Sequence, residues 1–189
     1  LLKSWICEPM QLKNTFFNPK LEFKDRIVPT EFDSKFRKKM VHGIVHDENA
    51  FLMGGVSGHA GVFSTAEEIG KIGILFLNRG YIDGKRLVSE KLMDEFIKPP
   101  SGINTGYTLG WDKPLDDGNS SAGKYFSKTA FGHLGFTGTS IWIDPESDIV
   151  IVLLTNRIYP NRGSDNEFKA MKNTRITFHN NIMKELLGV

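Results

Sequence analysis

The sequence predicts an α+β fold in which helices flank an antiparallel sheet. The first observation is a pair of apolar segments, 138–144 and 149–156, that have the composition of strands. The second is the stretch between them, Asp144–Ser147, whose proline suits the second position of a β-turn and so joins the segments as a hairpin. The third is that 149–156 is apolar without alternation, which predicts a central strand with helices over both faces.

Three helices are predicted from apolar spacing and capping residues. They begin after Ser64 or Thr65, after Ser89 and after Ser164, and the second is stopped by Pro99-Pro100. We expect the third helix to lie on the sheet. The apolar positions are Ile69, Ile72, Gly73, Phe76 and Leu77 in the first helix, Leu92, Met93, Phe96 and Ile97 in the second, and Phe168, Met171, Phe178, Ile182 and Leu186 in the third.

The remaining segments carry weaker signals. Residues 1–40 are irregular and broken by prolines, and 107–112 has the pattern of a short strand. The glycine-rich stretch 41–63 predicts a loop whose backbone turns sharply or approaches a neighbour closely. The single cysteine, Cys7, lies in an apolar context and is expected to be a buried, inert thiol.

Composition narrows the class of protein. The chain has 189 residues, a formal net charge of +2 and 40% hydrophobic residues, an ordinary globular mixture that gives no reason to expect a nucleic-acid partner. No apolar run reaches the roughly 20 residues of a membrane span. The first residues do not have the pattern of a signal peptide, and the sequence reads as part of a longer protein, which leaves the compartment open.

Three stretches resemble the serine β-lactamase and penicillin-binding-protein superfamily, in its class C-like, esterase-like branch. The stretch "GHLGFTGTSIWIDPESDIVIVLLTNR" is similar to that branch's last block, and "HDENAFLMGGVSGHAGVFSTAEEIGKI" to its glycine-rich loop and following helix. "EPMQLKNTFFNP" resembles the segment after its helical subdomain. The resemblance implies that residues 1–189 are the C-terminal part of a single β-lactamase-like domain, lacking the N-terminal strands and most of the helical subdomain.

The resemblance also implies a set of site residues. In the family a Lys-Thr-Gly triplet on an edge strand borders the cleft, and His-x-Gly replaces it in one branch. Here the triplet falls on 133–135, which implies catalytic roles for His133 and for the N–H of Phe136, the latter as an oxyanion donor. Gly135, Thr137 and Gly138 are the implied substrate-binding residues. On the residues alone, an ordinary hydrogen-bonded histidine at a strand entry is the preferred interpretation of His133, and the resemblance is what favours a position in the cleft.

Two departures from the family pattern qualify this site. Leu134 stands where the triplet carries a hydroxyl, and the family often uses that hydroxyl to bind a substrate carboxylate. A mostly neutral histidine beside a leucine would bind an anionic β-lactam poorly, which argues for ester, amide or peptide substrates over penicillins. The family's nucleophilic Ser, its Lys and its Tyr element all precede the segment that 8–19 resembles, so we expect them upstream of this chain. The tetrapeptide Ser121–Lys124 spells Ser-x-x-Lys, but it lies in a Gly- and Ser-rich loop rather than at a helix start, so we interpret it as a coincidence.

Other polar and aromatic residues give weaker signals. His42 and His46 could bind a metal only if they were helical, and ordinary histidines are the preferred interpretation. His59 is expected in a loop near the cleft rim, Trp111 packed beneath the cleft, and His179 on the surface of the last helix.

The leading hypothesis is therefore the C-terminal part of a serine hydrolase that works through an acyl-enzyme, inactive on its own. The alternative is a non-catalytic peptide- or glycan-binding module of the same fold. Neither a metal nor an organic cofactor is expected. The expected partners are a small-molecule or peptide substrate and either a second copy of the chain or a missing N-terminal segment. The resemblance suggests the periplasm or cell envelope.

Overall fold

The architecture is that of a computed structural model describing residues 1–99, 106–115 and 120–188. The helices in these ranges are a π-helical turn (Leu2–Cys7), a 3₁₀ helix (Leu21–Arg26), α1 (Glu48–Leu52), α2 (Ala66–Leu77), α3 (Glu90–Ile97) and α4 (Asp165–Leu187). The strands are β1 (Phe16–Phe17), β2 (Phe32–Asp33), β3 (Lys39–Met40), β4 (Val62–Phe63), β5 (Tyr81–Ile82), β6 (Lys85–Arg86), β7 (Phe131–Leu134), β8 (Ser140–Asp144) and β9 (Ile149–Leu153). The three helix starts are confirmed, at Thr65, Ser89 and Ser164. Pro100, predicted to stop α3, lies outside the described residues.

The main sheet is antiparallel, in the order β7-β8-β9. The hairpin between β8 and β9 is confirmed, and the Asp144 carboxylate accepts the amides of Glu146 and Ser147 inside it. Among the described residues β8 lies in the middle of this sheet and β9 at an edge, so the prediction that 149–156 is a central strand stays a prediction for the intact sheet.

Helices nevertheless cover both faces of this sheet, as the apolar run predicts. On one face, Gly73 of α2 lies so close to the strands that a Cβ there would overlap Val150 and lie 3.3 Å from Ile141 Cδ1. On the other face, Met183 of α4 packs against Trp142. The even apolar composition of β9 is consistent with this cover from above and below.

A second core lies beneath α2 and holds the start of the chain. Cys7 is buried there with Met10, Leu12, Leu75 and Met93, among others, which confirms the buried thiol. Burial, followed by the nearby Glu68 carboxylate, raises the pKa of the Cys7 thiol, so the group stays protonated and unreactive.

Glu68 ties this N-terminal segment to α2. Its carboxylate accepts the amides of Lys13 and Asn14 at 2.9 Å and the Thr15 hydroxyl at 2.6 Å. Burial alone would raise the pKa of this carboxyl, but the hydrogen bonds together outweigh it and the pKa lies below its ordinary value. Thr65 caps the Glu68 amide at the start of α2, while the Glu68 side chain holds residues 13–15 in place.

The predicted strand at 107–112 is wrong. Gly110 has a φ of +88°, which turns the chain back so that Tyr107 and Asp112 bridge each other. Asp112 also bridges Gly132, so this turn lies along β7.

Helix α4 lies on the sheet as predicted, but its buried face differs from the apolar positions chosen from the sequence. Phe168 and Leu186 are 55% and 59% exposed. The buried side chains recur every four residues, at Met171, Arg175, His179 and Met183. Among the described residues, no helix is long and apolar enough to cross a bilayer.

The prediction that His179 is a surface residue is wrong. The side chain is fully buried, and both ring nitrogens have partners. Nδ1 lies 2.9 Å from the carbonyl oxygen of Ser121 and therefore donates, which leaves Nε2 to accept the Ser140 hydroxyl at 3.1 Å. Polar partners on two other elements make this burial possible, and they cannot be seen in the periodicity of α4.

Burial, and then the Arg175 charge, lowers the pKa of His179 below its ordinary value. The neutral form thus stabilises the fold, and this contribution is lost as pH falls below the unfolded pKa of about 6.5. We expect the free energy of unfolding to decrease between pH 7.5 and 5.5, by up to about 1.4 kcal/mol per pH unit from this group. Urea titrations of the protein and of His179→Gln measure it: the variant should show a shallower pH dependence, and equal slopes would contradict this assignment.

Candidate active site

The predicted site residues lie on β7 and in the turn that follows it. His133 pairs with Ile141 across the edge of the sheet, and its side chain is exposed. Its Nδ1 lies 2.9 Å from the carbonyl oxygen of Leu134. Because a carbonyl only accepts, Nδ1 carries the proton in the neutral ring and Nε2 keeps its lone pair for another partner.

A cavity of about 740 Å³ opens beside this edge, within the size range of small-ligand sites. His133, Gly135 and Thr137 are among the residues that line it, whereas Phe136 and Gly138 are not. The cavity therefore meets one side of the turn, and the Phe136 side chain lies on the other. The loop 57–65 forms another part of the cavity wall, and it belongs to the glycine-rich stretch for which a sharp turn or a close approach is expected.

The loop wall contains a short chain of hydrogen bonds. His59 Nε2 lies 3.0 Å from Asp47 Oδ1, and His59 Nδ1 lies 2.7 Å from the Ser57 hydroxyl. The Ala50 amide, followed by His59, lowers the pKa of Asp47, so Asp47 is an ionised acceptor. His59 therefore lies on the cavity wall, as expected for a loop residue near the rim, with its ring orientation fixed by Asp47.

Arg26 is a cavity residue that the sequence analysis missed. It is the last residue of the 3₁₀ helix and donates to Asn14 Oδ1 at 2.9 Å, and both residues line the cavity. The described lining residues include Arg26, His59 and His133 but no carboxylate. The local potential therefore favours an anionic ligand group.

The side chain of Phe136 is held on the far side of the turn. Its ring stacks on His46 at 5.6 Å between centroids, and the Arg157 guanidinium lies 4.7 Å from its centre. His46 in turn lies 2.7 Å from Glu31, whereas His42 contacts the carbonyls of Lys24 and Ile27. The two histidines thus have separate protein partners, and no cluster of three or more potential metal ligands occurs among the described residues.

Neither end of the Ser-x-x-Lys look-alike lines the cavity. The Ser121 carbonyl accepts from His179, and the Lys124 amide donates to Asn180 Oδ1, so this loop is bound to α4. Trp111 packs edge-on against Phe76 and Phe131, under the sheet edge.

Comparison with known proteins identifies the fold around this cavity. The family model described as beta-lactamase matches residues 1–175. The chain belongs to the beta-lactamase family. The three stretches that resemble the superfamily all lie inside the matched range, and the resemblance is confirmed.

Curated relatives and solved structures agree with this assignment. The chain is 34% identical over 172 residues to an N-acetylmuramyl-L-alanine amidase of Bacillus subtilis, covering 80% of this chain and 37% of the relative. It is 35% identical over 173 residues to a Salmonella agona protein that carries the name of a D-alanyl-D-alanine carboxypeptidase, covering 82% and 39%. The chain therefore spans less than two fifths of either relative.

A structural likeness confirms the predicted fold class. The simvastatin synthase of Aspergillus terreus, as its LovD6 mutant, superposes with a TM-score of 0.67 at 19% identity, over 100% of this chain and 50% of that one. A beta-lactamase from Mycobacterium bovis superposes at 0.60 and 17% identity, over 98% and 55%. At these identities the likeness concerns the fold alone, an α+β architecture of which this chain forms part.

Proposed function

We propose that residues 1–189 form one wall of the active site of a β-lactamase-related serine hydrolase that acts through an acyl-enzyme. The observation that carries the proposal is the position of His133, Gly135 and Thr137 along a cavity of suitable size. The Phe136 amide donates to no acceptor in the part of the chain that the structure describes, so it is free to bind a substrate oxygen. The His133 side chain and the Phe136 N–H are the two groups that the family's mechanism requires from this strand and its turn.

In this mechanism the attacking serine belongs to polypeptide outside residues 1–189. Its oxygen adds to the substrate carbonyl, and the negative charge that develops on the carbonyl oxygen is bound by the Phe136 N–H. The serine proton passes through a basic group to the leaving atom as the bond between that atom and the carbonyl carbon breaks. Water then hydrolyses the acyl-enzyme ester, which releases the acid and restores the serine hydroxyl. His133, with its Nε2 lone pair open, hydrogen-bonds the hydroxyl that carries this proton.

The proposed substrate is an ester, amide or peptide that bears an anionic group. Arg26 and the absence of carboxylates among the described lining residues support the anionic part. The names of the two curated relatives refer to an amide bond to L-alanine and to a bond between D-alanine residues, so a cell-wall peptide is the proposed class. A substrate of this kind would place the intact protein at the cell envelope.

A fluorophosphonate probe tests this proposal. The intact protein that contains this chain should be labelled on one serine outside 1–189, and residues 1–189 alone should not react. In the intact protein, His133→Gln should slow labelling by about 100-fold or more, the usual effect of removing a proton-transfer partner. His42→Gln, which changes a histidine outside the cavity, serves as the matched control.

Three results would contradict the proposal: labelling of a serine within 1–189, equal labelling rates for the protein and His133→Gln, or no labelling of the intact protein. Peptide binding without any labelling would instead support the alternative of a non-catalytic module.

A further inference from the structure

We propose that Arg175 is a positioning residue, which orients the Phe136 amide toward the oxyanion by fixing the carbonyl groups of the turn 135–139. This inference rests on the proposed function, because it assigns to Arg175 the alignment of the amide that the function uses. Arg175 lies on α4, about 40 residues after the turn, and it is only 6% exposed.

The guanidinium of Arg175 binds three carbonyl oxygens of the turn. Its NH2 group donates to Gly135 at 2.7 Å and to Thr139 at 2.9 Å, and its Nε donates to Gly138 at 3.0 Å. Among the described residues no carboxylate pairs with Arg175. Since a buried cation is costly to desolvate, these carbonyl dipoles are its compensation, and the turn and the side chain hold each other in one geometry.

Arg157 and Thr155 donate hydrogen bonds to the two carbonyls of the turn that Arg175 does not bind, those of Phe136 and Thr137. Arg157 Nε donates to the Phe136 carbonyl at 2.9 Å, and the Arg157 amide donates to the Thr137 carbonyl at 2.8 Å. The Thr155 hydroxyl also donates to Thr137, at 3.3 Å. Every carbonyl from residue 135 to 139 therefore has a donor.

The planar peptide bond converts these contacts into a direction for the amides. In a trans peptide the carbonyl of one residue and the N–H of the next point to opposite sides of the same plane. The Gly135 carbonyl points to Arg175, so the Phe136 N–H points away from α4. The amides of Phe136, Thr137 and Thr139 donate to no acceptor in the ranges the structure describes, in contrast to Gly135 and Gly138, which donate within the turn.

The charge of Arg175 adds to this geometric effect. A cation bound to a carbonyl oxygen polarises the whole peptide group, which makes the attached N–H a stronger donor. The Phe136 amide is thus both aimed and strengthened by one side chain that does not itself contact the substrate.

Steady-state kinetics of the intact protein with a chromogenic ester test this inference. Arg175→Met keeps most of the side-chain volume but none of the hydrogen bonds, and we expect kcat to fall by about 100-fold while KM changes less than about threefold, as for loss of an oxyanion donor. Lys169→Met removes a cation from the exposed face of the same helix and should leave both parameters unchanged.

Two further variants keep the test decisive if Arg175→Met does not fold. Arg175→Lys retains the charge but cannot reach three carbonyls in the same way, and it should lose about tenfold or more in kcat. In Arg175→Ala, added guanidinium ion should restore part of kcat, an effect that a general loss of stability does not produce. Normal kcat in folded Arg175→Met or Arg175→Lys, or no rescue by guanidinium, would overturn the inference. Failure of the proposed function would be distinct, because the unsubstituted intact protein would then show no esterase activity.

Discussion

Gly135→Ala is expected to lower kcat/KM of the intact protein by about 100-fold or more, comparable to the loss of an oxyanion donor. A Cβ at this position would overlap Thr139 Oγ1 and lie 3.3 Å from Thr139 Cβ. Thr139 would then have to move, and the bond from the Gly135 amide to its carbonyl, 2.8 Å long, would be distorted. Because the Gly135 carbonyl and the Phe136 N–H share one peptide plane, the oxyanion amide would be displaced with it.

The control for this prediction is another glycine of the same cavity. Gly58 has nothing within 4 Å of a built Cβ, so Gly58→Ala should retain kcat/KM within a few fold. The double variant Gly135→Ala/Thr139→Ala removes the overlapping hydroxyl and should recover part of the activity. Steady-state assays that find Gly135→Ala as active as Gly58→Ala would show that the turn does not depend on this close approach.

Trp142→Ala is expected to cost about 3–5 kcal/mol of unfolding free energy, the range for truncating a large buried aromatic residue. Trp142 lies on β8, is 1% exposed, and packs against Phe126 at 5.7 Å between ring centroids. It also lies beneath Gly132, where a Cβ would lie 2.6 Å from Trp142 Cε3. Its removal would thus leave a cavity between the sheet and α4 under the strand that carries His133. Urea denaturation followed by circular dichroism measures the loss.

Trp142→Phe separates lost volume from lost hydrogen bonding. The buried Nε1 of Trp142 has no acceptor among the described residues, so phenylalanine removes an unpaired donor while keeping most of the apolar volume. We expect a loss well below that of Trp142→Ala. Trp5→Ala, at a position 69% exposed, should change the free energy by less than about 0.5 kcal/mol. A cost for Trp142→Ala as small as that for Trp5→Ala would contradict the described core.

The parts of the fold that the sequence predicted depend on local signals. The N-caps at Thr65, Ser89 and Ser164 need only a short polar side chain a few residues before an apolar stripe, so they are visible in the sequence. The β8–β9 hairpin likewise follows from its turn residues. The order of strands in the sheet is a long-range property, so the apolar run of β9 indicates helix cover but does not identify its neighbouring strands.

The parts that were missed depend on contacts far apart in sequence. Arg175 and His179 look like the polar side of an amphipathic helix, and only the turn at 135–139 and the loop at Ser121 explain why they are buried. Arg26 carries no motif, and its place on the cavity wall follows from the fold of 21–28 against Asn14. Periodicity cannot report such polar partners, which belong to other elements.

The most direct test of the account is a crystal structure of the intact protein with a phosphonate bound covalently to its nucleophilic serine. We expect a phosphonyl oxygen about 2.7–3.1 Å from the Phe136 amide nitrogen, with His133 beside the bound group and the Gly135 carbonyl still bound to Arg175. A phosphonyl oxygen bound elsewhere, with the Phe136 amide facing away from it, would contradict the account.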